Sequence, residues 1–329
     1  MRPLLTYFML KIAVIGAGHL GKIHLRLWKE LDNVCIVGVY DIHKEAARQA
    51  AEQFEVPLFE DLQSLLSAAD AVDIVTATVA HAEVAHAAIV CGKHVFVEKP
   101  LAGNLNEAIS VVTELRKAGL KGQVGHVERF NPAFLSVQGR LGEPLFIETH
   151  RLATYNPRGA DVSVVHDLMI HDLDIVLSLV KGPVREVRAS GVAIVSPTPD
   201  IANARIEFEN GCVANITASR LSLKYMRKTR IFQREAYISI DFLEKKADIV
   251  RLSEQEPPSM PFYPLMLPHT DTPRYLVFEN PEIAEVNAIK TELSHFVDSI
   301  MYDKPEIVPI EDGLRAMELV EAVIAAMTP

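Results

Sequence analysis

The 329-residue chain has three cysteines, one tryptophan and no surplus of positive charge, and each shortage excludes something. Cys35, Cys91 and Cys212 are odd in number, far apart and without C-x-x-C spacing, so buried reduced thiols in a cytoplasm are expected. A net charge of −10 argues against a general nucleic-acid binder, which needs basic surface to release counterions. No apolar run reaches the ~18 residues of a membrane span. Residues 1–10 are apolar with one arginine and lack a small-residue cleavage site, so no signal peptide is read. Met9-Leu10-Lys11 is a natural opening for the first strand, and Met9 is the expected initiator. Repeats and low-complexity tracts are missing too. What remains, 49% hydrophobic and 23% charged residues, fits a soluble globular protein, and the length favours two domains.

The stretch Ile12-Ala13-Val14-Ile15-Gly16-Ala17-Gly18-His19-Leu20-Gly21 organises the rest. Ile12 to Ile15 has the unbroken apolar character of a parallel strand covered on both faces. G-x-G-x-x-G follows. Gly16 suits a tight turn, Gly18 lets the backbone approach a pyrophosphate, and Gly21 lets a helix pack close to the strand. That helix, from about Leu20 to Glu30, turns free N–H groups to the phosphates, which puts His19 and Leu20 beside the cofactor. The next strand-like run, Val34 to Tyr40, ends at Asp41, 20 residues after Gly21, where an acid can accept hydrogen bonds from the adenosine ribose. Ile42 follows, with no Arg or Ser beside the acid to hold a 2′-phosphate, so NAD is favoured over NADP. His43 and Lys44 weigh the other way. A tight structural turn is the plain alternative for the glycines.

Strand and helix alternate as far as residue 126. The spacing predicts helices over His43–Gln53, His81–Val90 and Asn104–Lys117, and a short one capped by Asp61. Strands are predicted at Val56–Phe59, Val72–Thr76, Lys93–Val97 and Gly122–His126. Repeated β-α units mean an α/β domain with a doubly wound parallel sheet, here 1–126. Ligands in such sheets lie beyond the carboxyl ends of the strands. That rule lines up Gly16–Gly21, Asp41, Thr76, Thr78, Glu98, Lys99 and His126 on one edge. Lys99 stands between a buried strand and Pro100, not on a solvated face. Its plain reading is an ion pair with Glu98 or a neighbouring acid.

The pattern changes in 127–329, the expected substrate and oligomerisation domain. Helices are predicted over Asn131–Leu141 and Val164–Val180, with a strand at Leu145–Leu152 between them. Six strand-like runs follow without helices: Val184–Val195, Ala202–Glu209, Cys212–Ser219, Thr229–Arg234, Ala236–Phe242 and Ala247–Leu252. They imply an α+β domain with an open, mostly antiparallel sheet. Asp167 and His171 are four apart, on one helix face. The acid can hold the imidazole in one tautomer and leave its other nitrogen free as acid or base. The alternatives are an ordinary helix-surface pair, or a metal site with His166, His171 and Asp174; without H-E-x-x-H, no metal is expected. Lys224, Arg227, Lys228, Arg230 and Arg234 form a basic run, read as a charged sheet edge, or as a site for a phosphate-bearing ligand or the acidic surface of a neighbouring subunit. Seven prolines from Pro257 to Pro281 mark a long loop. Helices are predicted over Glu282–Tyr302 and Asp312–Met327, the last packing back on the domain junction.

The Gly16–Gly21 loop, Glu98-Lys99-Pro100 and Asp167-x-x-x-His171, in this order and spacing, resemble the glucose–fructose oxidoreductase / inositol dehydrogenase (Gfo/Idh/MocA) family over nearly the whole chain. The resemblance implies a Rossmann domain followed by an open-sheet domain, often paired sheet to sheet in homodimers or homotetramers. It implies Lys99 and His171 flanking the reacting carbon, Asp167 supporting them, and His81 near the cofactor. The chain departs at Thr76-Ala77-Thr78, where many members have Thr-Pro-Asn. Residues 125–132 and 167–174 look like the UDP-N-acetylglucosamine 3-dehydrogenase branch. That branch makes a 3-keto nucleotide sugar for a partner aminotransferase, in some bacteria towards diamino lipid A. Such a substrate would give Arg129 and the basic run a diphosphate to meet, with His126 and Asn131 beside it. The expected activity is an NAD-dependent sugar dehydrogenase, with His171 as base and Lys99 stabilising the alkoxide, or the two exchanged. Rival readings are a polyol or inositol dehydrogenase, a dinucleotide-binding regulator without catalysis, and a metal-dependent lyase or hydrolase.

Overall fold

A computed structural model describes residues 9–156, 162–255, 262–265 and 274–327. Two compact units result, one from Met1–Val127 and Asn287–Met317, the other from Glu128–Val286 and Glu318–Pro329. The first begins with β1 (Leu10–Ile15), α1 (His19–Trp28), β2 (Val34–Tyr40), α2 (Lys44–Phe54), α3 (Leu62–Ala68) and β3 (Ala71–Ile74). It continues with α4 (His81–Val90), β4 (His94–Glu98), α5 (Leu105–Lys117) and β5 (Gly122–Gly125). The strand order is β2-β1-β3-β4-β5, parallel throughout. Ile12, Ala13, Val14 and Ile15 are buried, as covering both faces requires. Asp61 caps α3 by accepting from Ser64 N at 2.8 Å, and Asn104 caps α5 through Glu107 N at 3.1 Å. The strand expected at Val56–Phe59 reduces to a single bridge, Val39 with Leu58, because Pro57 has no N–H to give a ladder.

The second unit holds α6 (Pro132–Val137), β6 (Pro144–Leu152), α7 (Ile170–Leu179), β7 (Val184–Val192), β8 (Ile201–Phe208) and β9 (Val213–Ser219). Then come β10 (Met226–Gln233), β11 (Ala236–Asp241), β12 (Lys246–Ser253), β13 (Phe262–Leu265) and β14 (Arg274–Glu279). They form one nine-stranded sheet in the order β13-β14-β12-β11-β10-β6-β9-β8-β7. Among the described residues only β6 with β9 is a parallel pair in this sheet. Alternation gives β6 its two faces: Ile147, Thr149 and Arg151 are buried, while Phe146, Glu148 and His150 are half-exposed. Phe134 and Val137 of α6 and Ile175 of α7 share a core with Ile231, Ile238 and Ile240 of the sheet.

Several sequence expectations are corrected. The helix predicted over Val164–Val180 is a π-helical turn, Val165–Met169, that passes into α7. The proline-rich loop contains β13 and β14; Pro264 is tolerated because β13 is the sheet's edge. The other prolines from Pro257 to Pro273 fall outside the described residues. The helix predicted from Glu282 starts later, as α8 (Ala288–Met301), where Asn287 caps Lys290 N at 3.1 Å. The last helix is α9 (Ile310–Met327). Residues 287–317 group with the first unit, unlike the expected boundary, because Leu293, Phe296 and Val297 complete the core around Trp28 and Phe96. Cys212 is buried and its thiol is pushed up to about 11 by burial, but Cys35 is exposed because β2 is an edge strand. Among the described residues no helix is long and apolar enough to cross a membrane.

Candidate active site

In the first unit the turn after β1 closes tightly. Gly16 has φ 111°, and a Cβ there would meet Val75 O at 2.5 Å. A Cβ on Gly21 would overlap the carbonyl oxygen of Gly16, whereas one on Gly18 would face open space. No side chain caps α1, and Gly18 and His19 are exposed. Asp41 accepts from Ala17 N at 2.7 Å through Oδ2 and from His43 N at 2.8 Å through Oδ1, so its carboxylate is fixed beside the loop. An uncapped helix start and a held acid fit a pyrophosphate and a ribose. Two cations that share a pocket with Asp41 face acids: Lys44 lies 3.6 Å from Glu60, and Arg48 lies 3.6 Å from Glu45. Replacing Asp41 with serine is expected to weaken NAD binding by about tenfold or more and narrow the preference over NADP. Fluorescence titration with NADH and NADPH checks this.

Farther along the same edge stand half-buried Thr76, Thr78 and Lys99, with Lys99 directly after β4. His81 is buried, its Nδ1 2.8 Å from Pro100 O and its Nε2 3.1 Å from Thr76 O. It ties the Thr76 and Pro100 loops together at the edge where the sequence places it. Burial holds its pKa below the usual value, which favours the neutral ring. His126 is likewise buried, just past β5.

Glu98 accepts from Lys99 N at 3.2 Å through Oε2, and its Oε1 lies 3.4 Å from His24 Nε2. His24 Nδ1 is 2.9 Å from Asp73 Oδ2, which also accepts from Trp28 Nε1 at 2.7 Å. His24 is pushed up to about 10: burial opposes the charge, and Asp73, then Glu98, outweigh it. A histidine raised in this way contributes stability that is complete below its unfolded pKa of ~6.5 and lost as pH rises through about 10. Melting temperatures across that window should therefore fall more steeply for the native chain than for His24→Gln. Sequence reasoning missed this group. Its signal was a carboxylate at Asp73 inside the apolar run Ala71–Ile74, a position that demands a partner.

In the second unit His171, half-buried, is the second residue of α7. Asp167 lies in the preceding π-helical turn, so the α-helical four-residue spacing does not describe the pair. The adjacent acids belong to ion pairs. Arg151 donates from Nε and Nη2 to Asp172 at 2.8 and 3.1 Å, and from Nη1 to Glu128 at 2.9 Å. Burial raises the Asp172 pKa, and Arg151 opposes it. Arg129, expected at a substrate diphosphate, is buried and donates from Nε and Nη2 to Asp174, each at 2.8 Å. Asn131, expected at the substrate, caps α6 through Ala133 N at 3.1 Å and donates to Phe242 O at 3.0 Å. Both are engaged by partners within the second unit. On β10, Lys228 faces Asp241 at 3.2 Å and Arg230 faces Glu148 at 2.7 Å, so cross-strand acids neutralise much of the basic run. Of the residues considered for a metal, His166 Nε2 lies 3.2 Å from Glu321 and Asp174 is engaged by Arg129.

Comparison with known proteins supplies an independent line. Residues 10–126 match the oxidoreductase family, NAD-binding Rossmann fold, of GFO/IDH/MocA proteins, and residues 135–239 match the GFO/IDH/MocA C-terminal domain. The chain is 32% identical to the UDP-N-acetylglucosamine 3-dehydrogenase of Acidithiobacillus ferrooxidans, over 96% of this chain and 95% of that one. A solved structure of that protein superposes with a TM-score of 0.86, covering 97% of both chains. The myo-inositol 2-dehydrogenase of Thermotoga maritima is 25% identical over 94% of each.

Proposed function

We propose that this chain, which belongs to the Gfo/Idh/MocA family of NAD-binding oxidoreductases, oxidises the C3 hydroxyl of UDP-N-acetylglucosamine or a related UDP-amino sugar to the 3-ketone. The observation that carries this reading is the 32% identity and 0.86 TM-score with a UDP-N-acetylglucosamine 3-dehydrogenase across 97% of both chains. Inositol dehydrogenases match too, and the T. maritima one does so at 25% identity. NAD is the proposed cofactor, supported by Asp41 with its neighbouring cations facing acids. When bound, it accepts the hydrogen that leaves the carbinol carbon with its electron pair. His171 takes the hydroxyl proton on its imidazole. Lys99 donates a hydrogen bond to the oxygen as negative charge grows there. Asp167 supports the imidazole, and His81 and Glu98 hold the loops around Lys99. The ketone is a substrate for an aminotransferase in the same cytoplasm, the step towards an amino sugar for lipid A. The open sheet face is proposed to pair in a homo-oligomer.

The test is oxidation with NAD of UDP-N-acetylglucosamine, free N-acetylglucosamine and myo-inositol, followed by NADH absorbance and product mass. Reduction of NAD only with the nucleotide sugar, with loss of two hydrogens, supports the reading. Faster turnover of inositol replaces it with the polyol dehydrogenase, and no turnover across the panel favours a dinucleotide-binding regulator.

A further inference from the structure

The first unit contains a line of polar groups, ending at Glu98, whose buried members the reaction as derived does not use. Trp28 and His24 come from α1, Asp73 from β3 and Glu98 from the end of β4. Trp28, His24 and Asp73 have no solvent exposure. Asp73 Oδ2 is shared by the indole N–H at 2.7 Å and the imidazole Nδ1 at 2.9 Å, which fixes the ring and turns Nε2 towards Glu98. Phe96 stands edge-on to the imidazole, with ring centroids 5.9 Å apart. At β5 a glycine makes room: a Cβ on Gly125 would lie 2.7 Å from the Glu98 carboxylate. The second oxygen of that carboxylate holds the N–H of Lys99 at 3.2 Å. A line of contacts therefore runs from the helix that starts at the glycine loop to the backbone of Lys99.

Stability alone does not account for the line. An apolar filling of equal volume is often as stable as a buried ionic group, or more so. A charged ring seated on Asp73 sets a positive Nε2 3.4 Å from one Glu98 oxygen, and the other oxygen accepts from the lysine's backbone N–H.

We propose that His24 is a positioning residue: as an imidazolium seated on Asp73, it holds the Glu98 carboxylate aimed at the Lys99 N–H, and so keeps α1 and the Lys99 corner in one registry. The catalytic consequence rests on the dehydrogenase reading of Lys99; the seating itself does not. The double variant His24→Gln/Asp73→Asn removes both charges at once and strands neither. His86→Gln, which alters a half-exposed histidine paired with Glu114, is the control.

Three measurements decide. Turnover with NAD and UDP-N-acetylglucosamine should fall about thirtyfold in the double variant, while KM and NADH affinity stay within about threefold. The Lys99 amide proton should move upfield in NMR as its acceptor is released, and the control should match the native chain. In the native chain the His24 ring should carry both protons near pH 8.5, about two units above an ordinary imidazole. An unmoved Lys99 amide, a singly protonated ring, turnover within about threefold of native, or equal collapse of affinity and turnover each overturns the proposal. If the native chain oxidises no sugar, the dehydrogenase reading fails, and the ring and amide signals still decide the seating.

Discussion

Lys99→Met should lower turnover by about a hundred- to a thousandfold while NADH affinity changes by less than about threefold. Methionine keeps much of the length and apolar bulk of the lysine stem and removes only the ammonium. On the proposed mechanism the loss falls on the step in which charge develops on the substrate oxygen, which a preorganised donor stabilises. Stopped-flow measurement of the first turnover separates this from slow product release. Turnover near the native rate removes Lys99 from the chemistry and leaves it the ion-pair role that the sequence also allowed. Arginine at the same position should not restore the rate, because a planar fork does not occupy the place of a compact ammonium.

The largest loss of stability should come from Arg151→Met. Arg151 is 3% exposed and satisfies two acids that are themselves 7% and 2% exposed, Glu128 and Asp172. Without the guanidinium both carboxylates remain in a dry interior. Arg227, whose Nη1 is 3.6 Å from Glu128, forms an ion pair with that acid and reaches Asp172 only through space, from a half-exposed position. Breaking a buried pair from one side costs about 3–5 kcal/mol, enough to lower the melting temperature by roughly ten degrees in a unit of this size. The triple variant Glu128→Gln/Arg151→Met/Asp172→Asn should recover most of the loss, since no charge is left alone. If the single variant melts like the native chain, the group is not the anchor of α7. Because His171 is next to Asp172, the single variant should also lose turnover at temperatures where it is still folded.

How much of this was legible in the chain differs between its halves. The glycine loop, the acid at Asp41 and the alternation of strands and helices were readable because each follows from local stereochemistry: a turn that admits no side chain, a helix start, a sheet covered on both sides. The nine-stranded sheet was readable in kind but not at its edge, where β13 and β14 lie in a proline-rich stretch. The π-helical turn before α7 was invisible, since a 3.6-residue period carries no mark of an inserted residue. Arg129 and Asn131 were placed near a ligand by the resemblance over 125–132; their partners inside the unit, Asp174 and Phe242 O, are 45 and 111 residues away. Cross-chain pairing of this sort sets which polar residues remain for chemistry, and it is not written in local pattern.

Phe296 meets Phe96 edge-on with ring centroids 5.8 Å apart, and Leu293 and Val297 sit in the same cluster as Trp28. The nucleotide-binding half is thus not a cassette that can be cut out at residue 127. A transplant of that half into another scaffold must carry 287–317 with it, spliced on by permuting the chain, or it will present a greasy scar where α8 belongs.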